Sequence, residues 1–298
     1  MRPTPLARLQ LLGAAVLFST GGAAIKAADL TSWQVASFRS GVAALAMGLL
    51  VPAAWRGWTW RTAAVGASYA ATLTLFVLAN KLTTAANTIF LQSAAPLYIL
   101  LLGPWLLKEP IRPVDLLFMA IVGLGLALFF LGAHPVYATA PDPIAGNALA
   151  TLSGVFWALT IIGFRWIASR EGERDGGPAR AVVLGNLIAF AVNLAPALPL
   201  GPTDAADWLV VGYLGVFQIA AAYVLVTAAI SRVPALEASV LLLAEPALNP
   251  IWAWLVQGER PGARGLLGGG LILGATLART WYDARVAERA VRREAEAS

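Results

Sequence analysis

Two charged side chains fall well inside apolar stretches of the 298-residue chain, Glu245 and Arg39. Charges at membrane depth are costly, so they pair with one another or line a polar pathway. The chemistry they offer is ionic recognition: a guanidinium for a carboxylate and a carboxylate for an ammonium. At this point a structural Arg39–Glu245 pair and a ligand-facing role for each both stay open. Neutral polar groups accompany them in apolar runs: Asn87 and Gln92, Asn186 and Asn193, and Gln218. Asn249 follows Glu245 by one helical turn and therefore shares its face. Trp157 and Tyr98 fall in mid-run, and Tyr69, Tyr213 and Tyr223 nearer the ends. A buried phenol needs a hydrogen-bonding partner, so these rings are expected to face a polar interior.

Catalytic chemistry is not expected. None of the three lysines (Lys26, Lys81, Lys108) follows a glycine, so no phosphate-binding Gly-Lys element exists. His134 is the only histidine and falls between apolar runs, which leaves no histidine zinc site. Every aspartate lies at or near the end of an apolar run, so no aspartyl dyad forms at depth. With no cysteine there is no thiol nucleophile, thiolate metal site or disulfide. No catalytic residue, metal or cofactor is expected, and the chain does not read as an enzyme.

The elements that must position these groups follow from composition. The chain is 59% hydrophobic and 12% charged, about half the charge of a soluble domain. Apolar runs fall roughly at 8–28, 33–55, 62–82, 84–107, 113–132, 145–168, 180–200, 206–230, 235–257 and 262–283, each near the length of about 20 residues that crosses a bilayer. The expected fold class is an all-α membrane protein of ten transmembrane helices. The connecting segments His134–Ile144 and Ser169–Ala179 are too short for a soluble domain. A net charge of +5 with no basic block gives no footing for nucleic acid. Lysine and arginine counted over alternate loops, with Arg39 left out, divide 16 to 4, which predicts both termini on the cytoplasmic side. Arg2 and Arg8 before an apolar run resemble a signal peptide, but Lys26 near its end and the repeat below argue against cleavage. Ten of the eleven tryptophans, all but Trp157, lie near run ends, as an interfacial belt requires. The last run continues into a basic tail, with Glu288 and Arg292 one turn apart, suited to anionic headgroups.

The sequence also repeats itself. Pro96 and Glu109 recur 150 residues later as Pro246 and Glu259, and Phe18–Lys26 parallels Trp157–Arg165 at an offset of 139. Five runs per half reverse direction on the second pass, so the expectation is two inverted five-helix repeats, 1–140 and 141–283, followed by a cytoplasmic tail, 284–298. Inverted halves that exchange conformations give alternating access to a site near the midplane. Pro96 and Pro246, placed symmetrically inside apolar runs, are the expected hinges.

These paired Pro/Glu blocks, each before a glycine-containing last run, resemble the drug/metabolite transporter superfamily of EamA type. The aromatic middle of the chain looks most like the YddG-type aromatic amino-acid exporters. The resemblance implies a multi-pass protein of the bacterial inner (plasma) membrane that exports small metabolites, with aromatic and other hydrophobic amino acids favoured. On that reading Lys81 or Arg39 meets the cargo's carboxylate. Gln92, Asn186, Gln218, Asn249, Glu245 and the tyrosine oxygens of Tyr69, Tyr98 and Tyr223 meet its ammonium. Trp157, Phe18 and the tyrosine rings stack on its side chain. Lys26, Lys81 and Arg165 have a competing reading as snorkelling anchors at span ends. One rival function is a proton-coupled multidrug cation exporter. Small multidrug relatives carry a glutamate in their first span, which this chain lacks. The other rival, a non-transporting membrane receptor or partner, has little surface outside the bilayer to use. The expected partners are a small-molecule cargo and the lipid bilayer; oligomeric state is not fixed by the sequence, and a monomer suffices.

Overall fold

Helix boundaries follow local chemistry. Thr31 accepts from the Gln34 backbone N–H while the Gln34 side chain accepts from the Thr31 N–H, closing a capping box at the start of one helix. Thr59 with Thr62 and Asp204 with Asp207 make the same reciprocal closure. Gly258, at φ 69°, supplies the left-handed residue that ends another helix.

The computed structural model describes residues 5–106, 111–131, 136, 138–171, 177–229, 233 and 235–297. Arg2, Lys108, Glu109 and His134, among the residues weighed above, lie outside them. The helices are α1 (Pro5–Ser19), α2 (Gly21–Ala27), α3 (Ser32–Leu50), α4 (Trp60–Leu82), α5 (Ala85–Gln92), α6 (Ala95–Leu106), α7 (Pro113–Leu128) and α8 (Pro143–Glu171). They continue with α9 (Gly177–Ala197), α10 (Ala205–Tyr213), a π-helical segment (Leu214–Ala221), α11 (Ala222–Ala229), α12 (Ala235–Leu242), α13 (Ala244–Gln257) and α14 (Ala263–Ala297).

The protein is all-α and multi-pass, but the expected ten crossings in two inverted five-helix repeats do not hold. Among the described residues seven helical runs are long and apolar enough to cross a membrane: Pro5–Ala27, Trp60–Leu82, Ala85–Leu102, Pro143–Ile167, Gly177–Ala197, Ala205–Val226 and Val240–Gln257. The other three runs fall short for separate reasons. Arg39, Gln34 and three serines dilute α3. The α7 helix has 16 residues, about 24 Å at 1.5 Å per residue against a hydrocarbon core of about 30 Å. The α14 helix opens with Arg264 and four glycines among its first eight residues, then runs into its charged end. Seven such runs do not divide into two sets of five.

Packing is close where side chains are small. A Cβ on Gly185 of α9 would stand 2.7 Å from the Gly66 carbonyl oxygen of α4, so the two backbones touch. Gly125 of α7 meets the Gly268 carbonyl of α14 in the same way, at 2.9 Å. One end of the bundle is closed by a buried network. Lys26 pairs with Glu259 at 2.7 Å and also donates to the carbonyls of Thr83 (2.8 Å) and Thr139. The second Glu259 oxygen accepts the Ala85 N–H at 3.0 Å. At the other end Arg279 joins Asp115 and Asp283, tying α14 to α7.

Candidate functional site

Three helical runs are interrupted, and the interruptions share one geometry. Thr20, Ser93 and Leu243 have φ, ψ of −74°, −12°, then −65°, −8° and −64°, −11°, a tightened turn between successive helices. Two of the three have a visible cause. A proline lacks an N–H and its ring crowds the carbonyl four residues earlier. The helix α5 ends at Gln92, four before Pro96, and α12 ends at Leu242, four before Pro246. Each proline thus opens the following helix, where its missing donor costs nothing, rather than bending a continuous one. A fourth run carries the π-helical segment 214–221, a form that often marks functional positions. The polar residues singled out from the sequence sit at these irregularities: Gln92 ends α5, Glu245 is the second residue of α13, and Gln218 lies within the π segment.

The centre of the candidate site is a row of rings. Phe18 meets Tyr223 edge-on at 5.4 Å, and Tyr223 meets Tyr69 edge-on at 5.8 Å. Phe164 continues the row from Tyr69 at 6.3 Å, and Trp157 packs against the same cluster. Arg39 and Glu245 are not paired with each other. Arg39 is 1% exposed, its Nη2 donates to the Leu73 carbonyl at 3.0 Å, and its Nε finds no hydrogen-bond partner. Its charge acts on Tyr69, while that of Glu245 acts on Tyr223. The two opposite charges thus lie near different rings of the tyrosine pair. The Tyr69 hydroxyl interacts with Tyr223 and Asn186 without reaching hydrogen-bond geometry with either. Asn186 spends its Nδ2 on the Val182 carbonyl at 2.9 Å and leaves Oδ1 unpartnered.

A second group of polar atoms lies over the start of α2. Gln218 rests on Gly21, whose absent Cβ would stand 2.9 Å from Gln218 Nε2, and Asn249 rests on Gly22, where a Cβ would be 3.0 Å from Asn249 Oδ1. Gln218 Oε1 and both polar atoms of the Asn249 amide have no hydrogen-bond partner. Glu245 is half-buried, while Pro246 and Asn249 beside it are buried. Tyr213 reaches the same region, its hydroxyl 2.8 Å from Thr20 Oγ1.

Other expected residues lie apart. Lys81 donates to the Ala28 carbonyl at 2.6 Å and is twelve residues from Tyr69 on one helix, about 18 Å along its axis. Gln92 donates to Ser153 Oγ at 2.8 Å, and Ser153 to the Thr72 carbonyl at 3.1 Å. Tyr98 packs over Gly154 in the other core cluster, its hydroxyl unpartnered. Lys26, read as a snorkelling anchor, is instead buried in its ion pair with Glu259. Trp252, read as interfacial, turns inward to donate to Ser19 Oγ at 2.8 Å. The Gly21–Gly22 seat escaped sequence reading; two adjacent glycines inside an apolar run were its signal. Among the described residues no three His, Cys, Asp or Glu side chains gather to hold a metal ion.

Comparison with known proteins agrees with this architecture. A solved crystal structure superposes with a TM-score of 0.59 at 20% identity, covering 90% of this chain and 96% of the other, and so shares its fold. The threonine/homoserine exporter RhtA of Escherichia coli strain K12 is 29% identical over 180 residues, 57% of this chain and 55% of the relative; its counterparts in E. coli O6:H1 and O157:H7 match to the same extent. The chain thus spans about half the length of these relatives, 55%. The profile of the EamA-like transporter family matches twice, over residues 6–131 and 144–280. With both matches together covering most of its length, the chain belongs to the EamA-like transporter family, a family of transporters rather than enzymes.

Proposed function

We propose that this chain is a secondary exporter of amino acids in the bacterial inner membrane, working by alternating access. The observation that carries the reading is two embedded opposite charges that do not pair with each other, Arg39, 1% exposed and bonded to the Leu73 carbonyl, and Glu245, near the edge-on Tyr69–Tyr223 pair. A zwitterion needs a cation and an anion held apart, and an unpaired buried guanidinium is an expensive feature without a ligand. Arg39 meets the cargo's carboxylate and Glu245 its ammonium; Lys81, occupied at the Ala28 carbonyl, has no part in this. A multidrug cation exporter would have no use for Arg39, whose charge opposes its cargo.

The cargo side chain faces Trp157, Phe18 and the tyrosine rings, which supports aromatic and other hydrophobic amino acids and the narrower YddG-type likeness. A second reading, small hydroxylated amino acids, draws on the threonine/homoserine exporters among the relatives and on the unpartnered Asn186 Oδ1 and Asn249 amide. Counterflow of labelled phenylalanine, leucine, threonine and homoserine in proteoliposomes tests both: the first predicts preference for phenylalanine and leucine, the second for threonine and homoserine. Exchange of none of them overturns the function.

Two related halves, 1–140 and 141–283 with the tail 284–298, are supported by the double family match. A shared cytoplasmic side for both termini, supported by the 16-to-4 cation bias, needs an even number of crossings, so on this reading α14 crosses in addition to the seven apolar runs. The Lys26–Glu259 pair also supports it, since it sets the end of the first helical run beside the start of the last. Pro96 and Pro246 act as hinges because the turns before them already lack a regular hydrogen bond.

A further inference from the structure

Asn249 is 1% exposed, yet neither atom of its amide has a partner, and Gln218, 7% exposed, leaves its oxygen unpartnered. Unmade hydrogen bonds of buried amides are costly, and here they cluster. Both amides lie against consecutive glycines, Gly21 and Gly22, at the turn where α1 gives way to α2. Glu245 stands one turn before Asn249 on the same helix face and is half-buried. Pro246 further leaves the Leu242 carbonyl without its usual donor four residues on. This corner is therefore rich in acceptors: a carboxylate, two amide oxygens and a freed carbonyl. Lys26, one turn beyond Gly22 on α2, is held by Glu259 and the Thr83 and Thr139 carbonyls, and Arg39 is turned to the Leu73 carbonyl.

We propose that Asn249 and Gln218, which rest on Gly22 and Gly21, and Glu245, one turn before Asn249 on the same helix face, form an ammonium subsite that prefers primary amines over N-methylated ones and excludes quaternary ones. The inference rests on the amino-acid reading above and gives it a chemical limit. A primary ammonium carries three N–H donors for the three side-chain acceptors. Each N-methyl group removes one donor, strands one buried acceptor and adds volume where the amides sit tight against glycine. A quaternary ammonium strands all of them. Stranding one buried partner corresponds to a loss of about tenfold or more in affinity.

The test uses the purified full-length chain with 2-phenylethylamine, its N-methyl derivative and its N,N,N-trimethyl derivative as probes. Affinities come from titration, alongside melting-temperature shifts at equal concentration. The expected result is binding of the primary amine, about tenfold weaker binding of the N-methyl form, and no measurable binding of the trimethyl form. Asn249→Ala should weaken the primary amine and narrow the gap between the three probes. Gly22→Ala, which pushes a methyl group against the Asn249 amide, should do the same. If Gly22→Ala fails to fold, Asn249→Ala and Gln218→Ala carry the test alone. Equal binding of the primary and trimethyl amines overturns the subsite, as does an unchanged probe ratio in folded Asn249→Ala and Gln218→Ala. These outcomes are separate from counterflow: a chain that exchanges no amino acid but discriminates the amines refutes the exporter reading and keeps the subsite.

Discussion

Removing Glu259 should destabilise the protein far more than removing any exposed carboxylate. Its side chain is 4% exposed and that of Lys26 is 3% exposed, with 2.7 Å between Nζ and Oε1. Lys26 donates to the carbonyls of Thr83 and Thr139 and is ion-paired with Glu259. Glu259→Ala leaves this buried cation without its counter-charge, which costs about 3–5 kcal/mol, and it also strands the Ala85 N–H. For a chain of this size, roughly 4 kcal/mol lowers the melting temperature by about 8 °C. Glu259→Gln keeps an acceptor for Lys26 but not the charge, so its cost is about half. Lys26→Met alone costs a similar amount, yet Lys26→Met with Glu259→Leu should recover most of the loss, because a buried pair replaced by apolar groups is often neutral. The assay is thermal unfolding of the detergent-solubilised protein for Lys26→Met, Glu259→Leu and the double; singles of about 4 kcal/mol each and a double of about 2 give a coupling of about 6 kcal/mol. The control is Arg112–Asp283, 3.3 Å apart with side chains 49% and 46% exposed, where coupling should stay under about 0.5 kcal/mol. Additive single mutants at Lys26 and Glu259 would refute the reasoning.

Trp157→Ala should weaken export of aromatic amino acids by up to about tenfold more than that of small aliphatic ones, since stacking is worth about 0.5–1.5 kcal/mol beyond burial; an unchanged cargo ratio in counterflow removes Trp157 from the site. Pro96→Ala and Pro246→Ala should leave the melting temperature nearly unchanged while slowing turnover, and normal turnover in the double mutant reduces both to packing residues. Gly185→Ala, whose methyl group would stand 2.7 Å from the Gly66 carbonyl and 2.8 Å from the Tyr69 ring, should cost about 1–3 kcal/mol in unfolding, and a neutral substitution would contradict the backbone contact of α4 with α9. Accessibility tags at residue 298 and between residues 133 and 144 should report opposite sides of the membrane; finding both on one side overturns the shared cytoplasmic placement of the termini.

What could be read from the sequence was chemistry with local causes. Apolar runs exposed the all-α, multi-pass character because each helix must satisfy its own backbone in hydrocarbon. Glu245, Asn249, Gln218 and Arg39 stood out because a polar group in an apolar run is conspicuous whatever its partners. Partners were harder. Lys26 near a run end looked like any snorkelling lysine, and only the folded chain brings Glu259, 233 residues away, to within 2.7 Å. Lys81 and Arg39 were indistinguishable as carboxylate binders until the fold put Lys81 at the Ala28 carbonyl and Arg39 beside Tyr69. The number of crossings was overcounted because α3, α7 and α14 are apolar in places but too polar, too short or too glycine-rich over a full bilayer length.

The helix interruptions divide by the same rule and show why the site lies where it does. Those before Pro96 and Pro246 were visible as prolines, since the missing N–H and the crowding of the carbonyl four residues back act within one turn. The turn at Thr20 has no proline; it is held by Thr20 donating to the Leu17 carbonyl at 2.7 Å and meeting Tyr213 Oη from a distant helix at 2.8 Å. The π segment at 214–221 likewise depends on tertiary contact: Gly215 lies so close to α3 that a Cβ there would stand 2.8 Å from the Arg39 carbonyl oxygen. An interruption in a membrane helix frees backbone polar groups, and these persist only beside protein or an internal polar space. Polar side chains placed at such points reinforce that space instead of adding a separate cost. Gln92, Gln218 and Glu245 are therefore found at the interruptions for the reason that makes those positions suited to a polar cargo: the backbone there has already given up its regular bonds.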